Sequence, residues 1–323
     1  MVLMLVSSIA GRVSAQEGST AGLFLVAPIG ARLVAIGGAG VADPTGSSAF
    51  LANPAGFGRL ARGEVSFDFG QDEVTTRYVL VGALPISVLG TIAVDAYLSD
   101  AGGTDVTGRN NVLYGHLTFR DVAAGASYGA RFGKRLNVGL TYKVVQRRQD
   151  CTSGTCINPD DPALGGERSS STSAVDFGAQ YDLGARNAVH LGAAILNLGP
   201  RLQTRDEPQS DPLPTRLAIG GSYDVPRVEQ YVPGAALRIL TETTIGFGAE
   251  PEHTYQIGTE ATYRQLFSLR AGYNQQQQSG YSGLTFGFGL QSRRFRLDIA
   301  QQIAVSGLNV DKPPTYVGLR YSF

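Results

Sequence analysis

From Glu64 to the C terminus the chain alternates. Leu136, Val138, Leu140, Tyr142 and Val144 fall on one parity, and Asn137, Gly139, Thr141 and Lys143 on the other. That is the period-two signature of a strand whose two faces meet different surroundings. The same alternation returns from Leu284 to Leu290, Phe295 to Ile299 and Val317 to Phe323. Turn signals between the runs divide the region into strands.

The pattern predicts fourteen strands, at 64–70, 76–85, 89–99, 117–131, 136–149, 171–183, 187–199, 213–225, 230–244, 253–264, 266–275, 281–291, 293–304 and 314–323. A break at Arg120-Asp121 would make fifteen. Single-chain bacterial barrels have an even strand number, so 117–131 is read as one strand after a long loop ending at His116. The connections then sort by length. Short ones, such as 132–135 and 226–228, fall on one side. Long ones, notably Asp100 to His116 and Asp150 to Ser170, fall on the other. This is the asymmetry of an outer-membrane barrel with short periplasmic turns.

Before the strands lies a segment of another kind. GARLVAIGGAGVADPTGSSAFLANPAGF, Gly30 to Phe57, is apolar but interrupted by Gly37, Gly38, Gly40, Gly46, Gly56, Pro44 and Pro54. Neither a long helix nor a regular strand tolerates that spacing. Fourteen strands enclose a lumen too wide for wall side chains alone to fill. Residues 16–62 are therefore expected as a hatch plugging residues 63–323, an all-β antiparallel barrel. Gly30, Arg32, Gly37, Gly38, Gly40, Asp43, Asn53, Pro54 and Gly56 are its expected plug residues, with the Asn53 amide holding a fixed turn.

Composition narrows the reading. Glycine is abundant, at 42 of 323 residues, and only 17% of residues are charged. No run reaches the roughly 18 apolar residues of a spanning helix, which leaves a closed barrel as the way through lipid. Val2 to Ala10 followed by Val13-Ser14-Ala15 reads as a signal peptide over 1–15, without a basic n-region. Taking Arg12 from the 27 bases leaves 26 against 27 acids, so bulk charge offers nothing to nucleic acid. Cys151 and Cys156, the only cysteines, are expected as a disulfide across a small loop in an oxidising compartment.

Catalytic motifs are not met. GGAGVADPTGSS lacks the spacing and the lysine of a phosphate-binding loop, and His116, His190 and His253 are dispersed. Glu252-His253 could form an acid–base pair, but it falls on an expected outer loop. No enzyme, cofactor or metal site is expected.

A charged side chain facing mid-bilayer lipid costs about 2–4 kcal/mol, so the charged parity faces inward. That places Asp95, Lys143, Asp176, Arg216, Glu260, Arg270, Arg296, Asp298 and Arg320 in the lumen. Both signs occur, as in an ion-pair network around a plug. Tyr255, Tyr263, Tyr273, Tyr321 and Phe323 lie outward near strand ends, where an aromatic girdle belongs.

Several stretches resemble the PorV/PorQ family of outer-membrane proteins, within the FadL-like superfamily. They are the opening IGARLVAIGGAGVADPTGSSAFLANPAGF, Asn197-Leu198-Gly199-Pro200, Leu213-Pro214-Thr215-Arg216, Gly258-Thr259-Glu260, Leu269 to Tyr273 and Gly283 to Gly287. The terminal Phe323 resembles the ending by which such barrels are recognised for assembly. The resemblance implies a fourteen-stranded barrel with an internal hatch, seated in outer-membrane lipid by the barrel-assembly machinery. It also implies two functions. PorV-like members act in type IX secretion beside the translocon, binding the C-terminal signal domains of secreted cargo; FadL-like members carry hydrophobic molecules through the barrel. A purely structural barrel is a third possibility. The polar lumen and long outer loops favour secretion-associated binding.

Overall fold

The computed structural model describes residues 20–43, 46, 48–86, 89–108, 112–157, 166–183, 188–203, 210–247, 252–276, 282–305 and 313–323. The expected signal peptide, 1–15, lies outside them.

Fourteen strands close into one antiparallel barrel. They are β1 (Glu64–Gln71), β2 (Thr76–Pro85), β3 (Thr91–Thr107), β4 (Leu113–Phe132), β5 (Leu136–Thr152), β6 (Arg168–Leu183), β7 (Val189–Leu198), β10 (Arg216–Asp224), β11 (Ala235–Gly246), β12 (His253–Tyr263), β13 (Phe267–Gln276), β14 (Ser282–Ser292), β15 (Phe295–Val305) and β16 (Thr315–Ser322). Each pairs with the next along the chain, and β1 closes on β16 with Glu64 opposite Ser322. The two-residue strands β8 (Leu202–Gln203) and β9 (Ser210–Asp211) form a separate ladder between β7 and β10.

Alternation assigns the faces as expected, and inverts the habit of a soluble protein. On β5, Leu140, Tyr142 and Val144 are exposed toward lipid, while Asn137 and Thr141 are buried. Lipid solvates the apolar parity, and the polar parity finds its partners inside.

Three expectations need correction. Asp100 to His116 is not a long loop: β3 runs on to Thr107 and β4 begins at Leu113. The AGGTDVT stretch carries no apolar alternation because both its faces meet water, yet its backbone pairs with β4 through a bulge between Asp100 and Gly103. The expected strand at 230–244 begins only at Ala235, because Val228–Tyr231 forms the short helix α3 after Pro226. Likewise β10 begins at Arg216, past Pro214, whose missing N–H suits a strand edge.

Strands β3 to β6 have 16 to 20 residues, against 8 in β1 and β16. Spanning takes about 9–11. The surplus rises from the long-loop side as a four-stranded blade. At its tip Cys151 and Cys156 are disulfide-bonded, and Cys156 donates its N–H to the Tyr114 carbonyl at 2.9 Å.

Candidate functional site: the lumen and its N-terminal segment

The described residues between 20 and 60 run inside the barrel as short pieces. They are a 3-10 turn at Leu23–Val26, α1 (Ala31–Ala35), α2 (Ala49–Ala52) and a second 3-10 turn at Pro54–Arg59. Ala31, Ala35, Ile36, Val41, Ala55 and Phe57 are fully buried. Gly37, Gly38 and Gly40 fall between these pieces, whereas Pro54 and Gly56 lie within the second 3-10 turn.

Pairs of facing glycines in the wall let this backbone approach. Gly258 and Gly272 are cross-strand partners on β12 and β13. A Cβ added at Gly272 would lie 2.1 Å from the Gly37 nitrogen, and one at Gly258 2.3 Å from the Ile36 carbonyl oxygen. Gly139 and Gly178, partners on β5 and β6, admit Pro54 and Asn53 in the same way. The segment's own glycines are thus only half of the fit, and those of the wall are the other half.

Asn53 is 1% exposed. Its Nδ2 donates to the carbonyls of Val41 at 2.8 Å and Ala179 at 3.1 Å, and its Oδ1 accepts from the Ala55 N–H at 3.0 Å. A longer contact reaches the Ala193 carbonyl at 3.4 Å, so one side chain ties the segment to itself, to β6 and to β7. Pro54 opens the turn that follows, where its missing N–H costs nothing.

The inward charges form three groups. In the first, Arg32 on α1 donates to Glu260 through Nε at 3.1 Å and Nη2 at 2.5 Å, and its other edge pairs with Asp43. Glu260 also meets Arg270 at 2.6 Å and Arg296 at 3.4 Å, and Asp298 meets both of those arginines at 2.9 and 2.8 Å. Burial alone would lower the Arg32 pKa, but the carboxylates of Asp43 and Glu260 raise it well above its ordinary value. Arg320 lies at the edge of this group, 3.8 Å from Glu64.

In the second, Lys143 reaches Asp176 at 2.8 Å and the Asn197 Oδ1 at 2.6 Å, and the Asn197 N–H donates to Asp176 at 2.7 Å. Asn197 has a left-handed backbone, φ 60°, where β6 and β7 slip register. Asp95 and Arg216, expected in this network, line the same small void of about 30 Å³. Among the described residues neither makes an ion pair, and Asp95 Oδ1 and Arg216 Nε have no hydrogen-bond partner.

The third group was not foreseen. Asp182 pairs with Arg59 and with His190 at 2.6 Å; His190 reaches Asp224 at 3.3 Å; Asp224 pairs with Arg238 at 2.6 Å. Glu242 accepts from the Val41 N–H at 2.7 Å, and Gln180 donates to the carbonyls of Val41 and Asp43. Parity could have found them, since Gln180 and Asp182 share the face of Asp176.

Toward the long-loop side the lumen holds a chamber of about 600 Å³. Leu25, Ile29, Leu33 and Leu51 of the N-terminal segment form its apolar floor, and Gln256, Asn274, Arg77 and Arg216 stand on the wall. Glu252 lines it and precedes His253 in the chain, and His116 pairs with Asp105 at 2.9 Å on the blade. The three histidines remain apart.

This arrangement, a closed wall around a buried and ion-paired N-terminal segment, can be set beside known proteins. The sequence model of the type IX secretion system membrane protein PorP/SprF matches residues 94–317, well over half of the chain. The chain belongs to the PorP/SprF family. Its family name is thus PorP/SprF, while PorV/PorQ is not named by the match. No curated protein sequence matches significantly. Among solved structures, the CymD monoaromatic hydrocarbon channel superposes with a TM-score of 0.62 at 14% identity, covering 94% of this chain and 99% of that one. The Pseudomonas putida toluene transporter TodX gives 0.59 at 13%, covering 90% and 95%. The Ralstonia pickettii toluene transporter TbuX gives 0.58 at 15%, covering 91% and 97%. At such identities the likeness is one of fold. Family and fold together make this PorP/SprF member a closed β-barrel of the cell outer membrane.

Proposed function

We propose that this protein serves type IX secretion by binding exported proteins or the secretion machinery at its outer face, while residues 20–60 act as a plug closing the lumen. The observation that carries the reading is the family match over 94–317. The resemblance to PorV/PorQ members supports the finer statement that the bound partners are cargo signal domains or the translocon. The blade of β3 to β6 supports it physically, since it offers a rigid, disulfide-tipped surface beyond the membrane. The lumen charges hold the plug and do not filter ions: every acid in the first group meets an arginine. In this reading residues 1–15 are removed on export and Phe323 directs barrel assembly.

A deletion strain tests it. Proteins bearing type IX signals should accumulate inside the cell or fail to anchor at the surface. Normal export and anchoring of all of them would remove the proposal.

The chamber supports a second reading, uptake of hydrophobic molecules, because its floor is apolar and 600 Å³ lies within the roughly 300–1,000 Å³ of small-ligand sites. Mass spectrometry after mild detergent extraction distinguishes it. A bound hydrocarbon or lipid displaced by Leu33→Gln favours uptake; clean protein with no growth defect on hydrophobic substrates counts against it.

A further inference from the structure

The two rims of the barrel differ in charge, although the whole chain is neutral. The short-turn connections carry Lys134, Arg135, Arg227, Arg264, Arg293 and Arg294, with Glu229 the only acid among their described residues. Three of these arginines sit in left-handed backbone: Arg227 at φ 68°, Arg264 at 51° and Arg293 at 32°. Short turns fill such positions with Gly, Asn or Asp, which bear that conformation at little cost. An arginine there breaks the local rule, and breaks of this kind gather where the side chain has a function.

Beside two of these turns the lipid-facing wall is concave. A groove of about 690 Å³ lies across β13 to β16 and β1, lined by Phe67, Phe267, Leu290, Leu297 and Leu319. Tyr321 stands at its mouth, with Phe295 at 4.9 Å between ring centroids. There Arg294 Nη1 lies 3.4 Å from the Tyr321 hydroxyl, so a cation and an apolar slot share one entrance. The short-turn side faces the periplasm, where the opposing leaflet presents phosphates.

The geometry points to a binding site for one anionic phospholipid, its acyl chain in the groove over Leu297 and its phosphate held by Arg293 and Arg294. Charge complementarity selects this occupant, because guanidinium groups offer paired N–H donors to phosphate.

The test is native mass spectrometry of the full chain, delipidated in detergent and titrated with phosphatidylglycerol or phosphatidylcholine. One phosphatidylglycerol should be retained, with phosphatidylcholine bound at least tenfold more weakly. Arg293→Gln with Arg294→Gln should weaken phosphatidylglycerol about tenfold or more. Leu297→Trp should fill the groove and abolish retention with the rim charge intact. Heat-modifiable gel mobility checks that each variant is a folded barrel. Equal binding of both lipids by all three proteins, an annular lipid only, overturns the site. So does a co-purifying polypeptide that shields Leu297→Cys from a membrane-soluble maleimide, since the groove would then be a protein interface.

Discussion

Arg32 and Glu260, 228 residues apart in the chain, meet through two parallel contacts inside the barrel, Nε to Oε1 at 3.1 Å and Nη2 to Oε2 at 2.5 Å. Both side chains are about 95% buried, and Asp43 covers the other edge of the guanidinium. This pair ties the N-terminal segment directly to the wall, and its planar bidentate geometry adds direction to charge.

Removing one member of a buried pair costs about 3–5 kcal/mol, since the other is left charged and uncompensated. Arg32→Met is therefore expected to release residues 20–60 while the barrel persists. Limited proteolysis of folded, detergent-solubilised protein should cut within the segment, with heat-modifiable mobility unchanged. Continued protection would show that the Gly windows and Asn53 suffice alone.

The glycine windows make a separable prediction. A side chain at Gly272 collides with the Gly37 nitrogen, whereas a Cβ at Gly82 meets only a Val94 methyl at 3.9 Å. Gly272→Val should raise amide exchange across 36–41 at least tenfold. Gly82→Val should leave those amides unchanged, which separates contact with the segment from loss of a strand glycine.

Much of this architecture was legible because a membrane barrel repeats one local signal. Alternation at period two located the strands and assigned Lys143, Asp176, Glu260 and Asp298 to the lumen. The blade was hidden for the same reason: from Ala101 to Thr107 both faces meet water, so nothing alternates. Pairing inside the lumen was not legible either. That Arg32 takes Glu260, and Asp95 takes no ion pair among the described residues, depends on where the segment crosses the wall. Those crossings are set by facing glycines, Gly258 with Gly272 and Gly139 with Gly178, which only strand register brings together.

The Cys151–Cys156 bridge closes a small ring at the blade tip. By loop entropy such a ring contributes roughly 2 kcal/mol, nearly all of it local. Replacing both cysteines by serine should leave the thermal midpoint of the barrel within a few degrees. The segment around Gly154 should become sensitive to protease added from outside. A large fall in barrel stability would mean that the blade and the wall fold as one unit.

The last prediction concerns Asn53. Its amide serves three carbonyls, of Val41, Ala179 and Ala193, and its carbonyl serves one N–H, that of Ala55, all away from water. Asn53→Ala strands these groups, and each buried unsatisfied group costs about 1–3 kcal/mol. The turn at Pro54 should loosen, and small solutes should pass faster in a liposome swelling assay. Asn53→Asp decides what the side chain contributes. It keeps an acceptor for Ala55 but turns a carboxylate toward three carbonyls, so it should leak at least as much as alanine. If the acceptor alone fixed the turn, the aspartate variant would stay tight. Unchanged permeability in both variants would contradict a plug held by this residue.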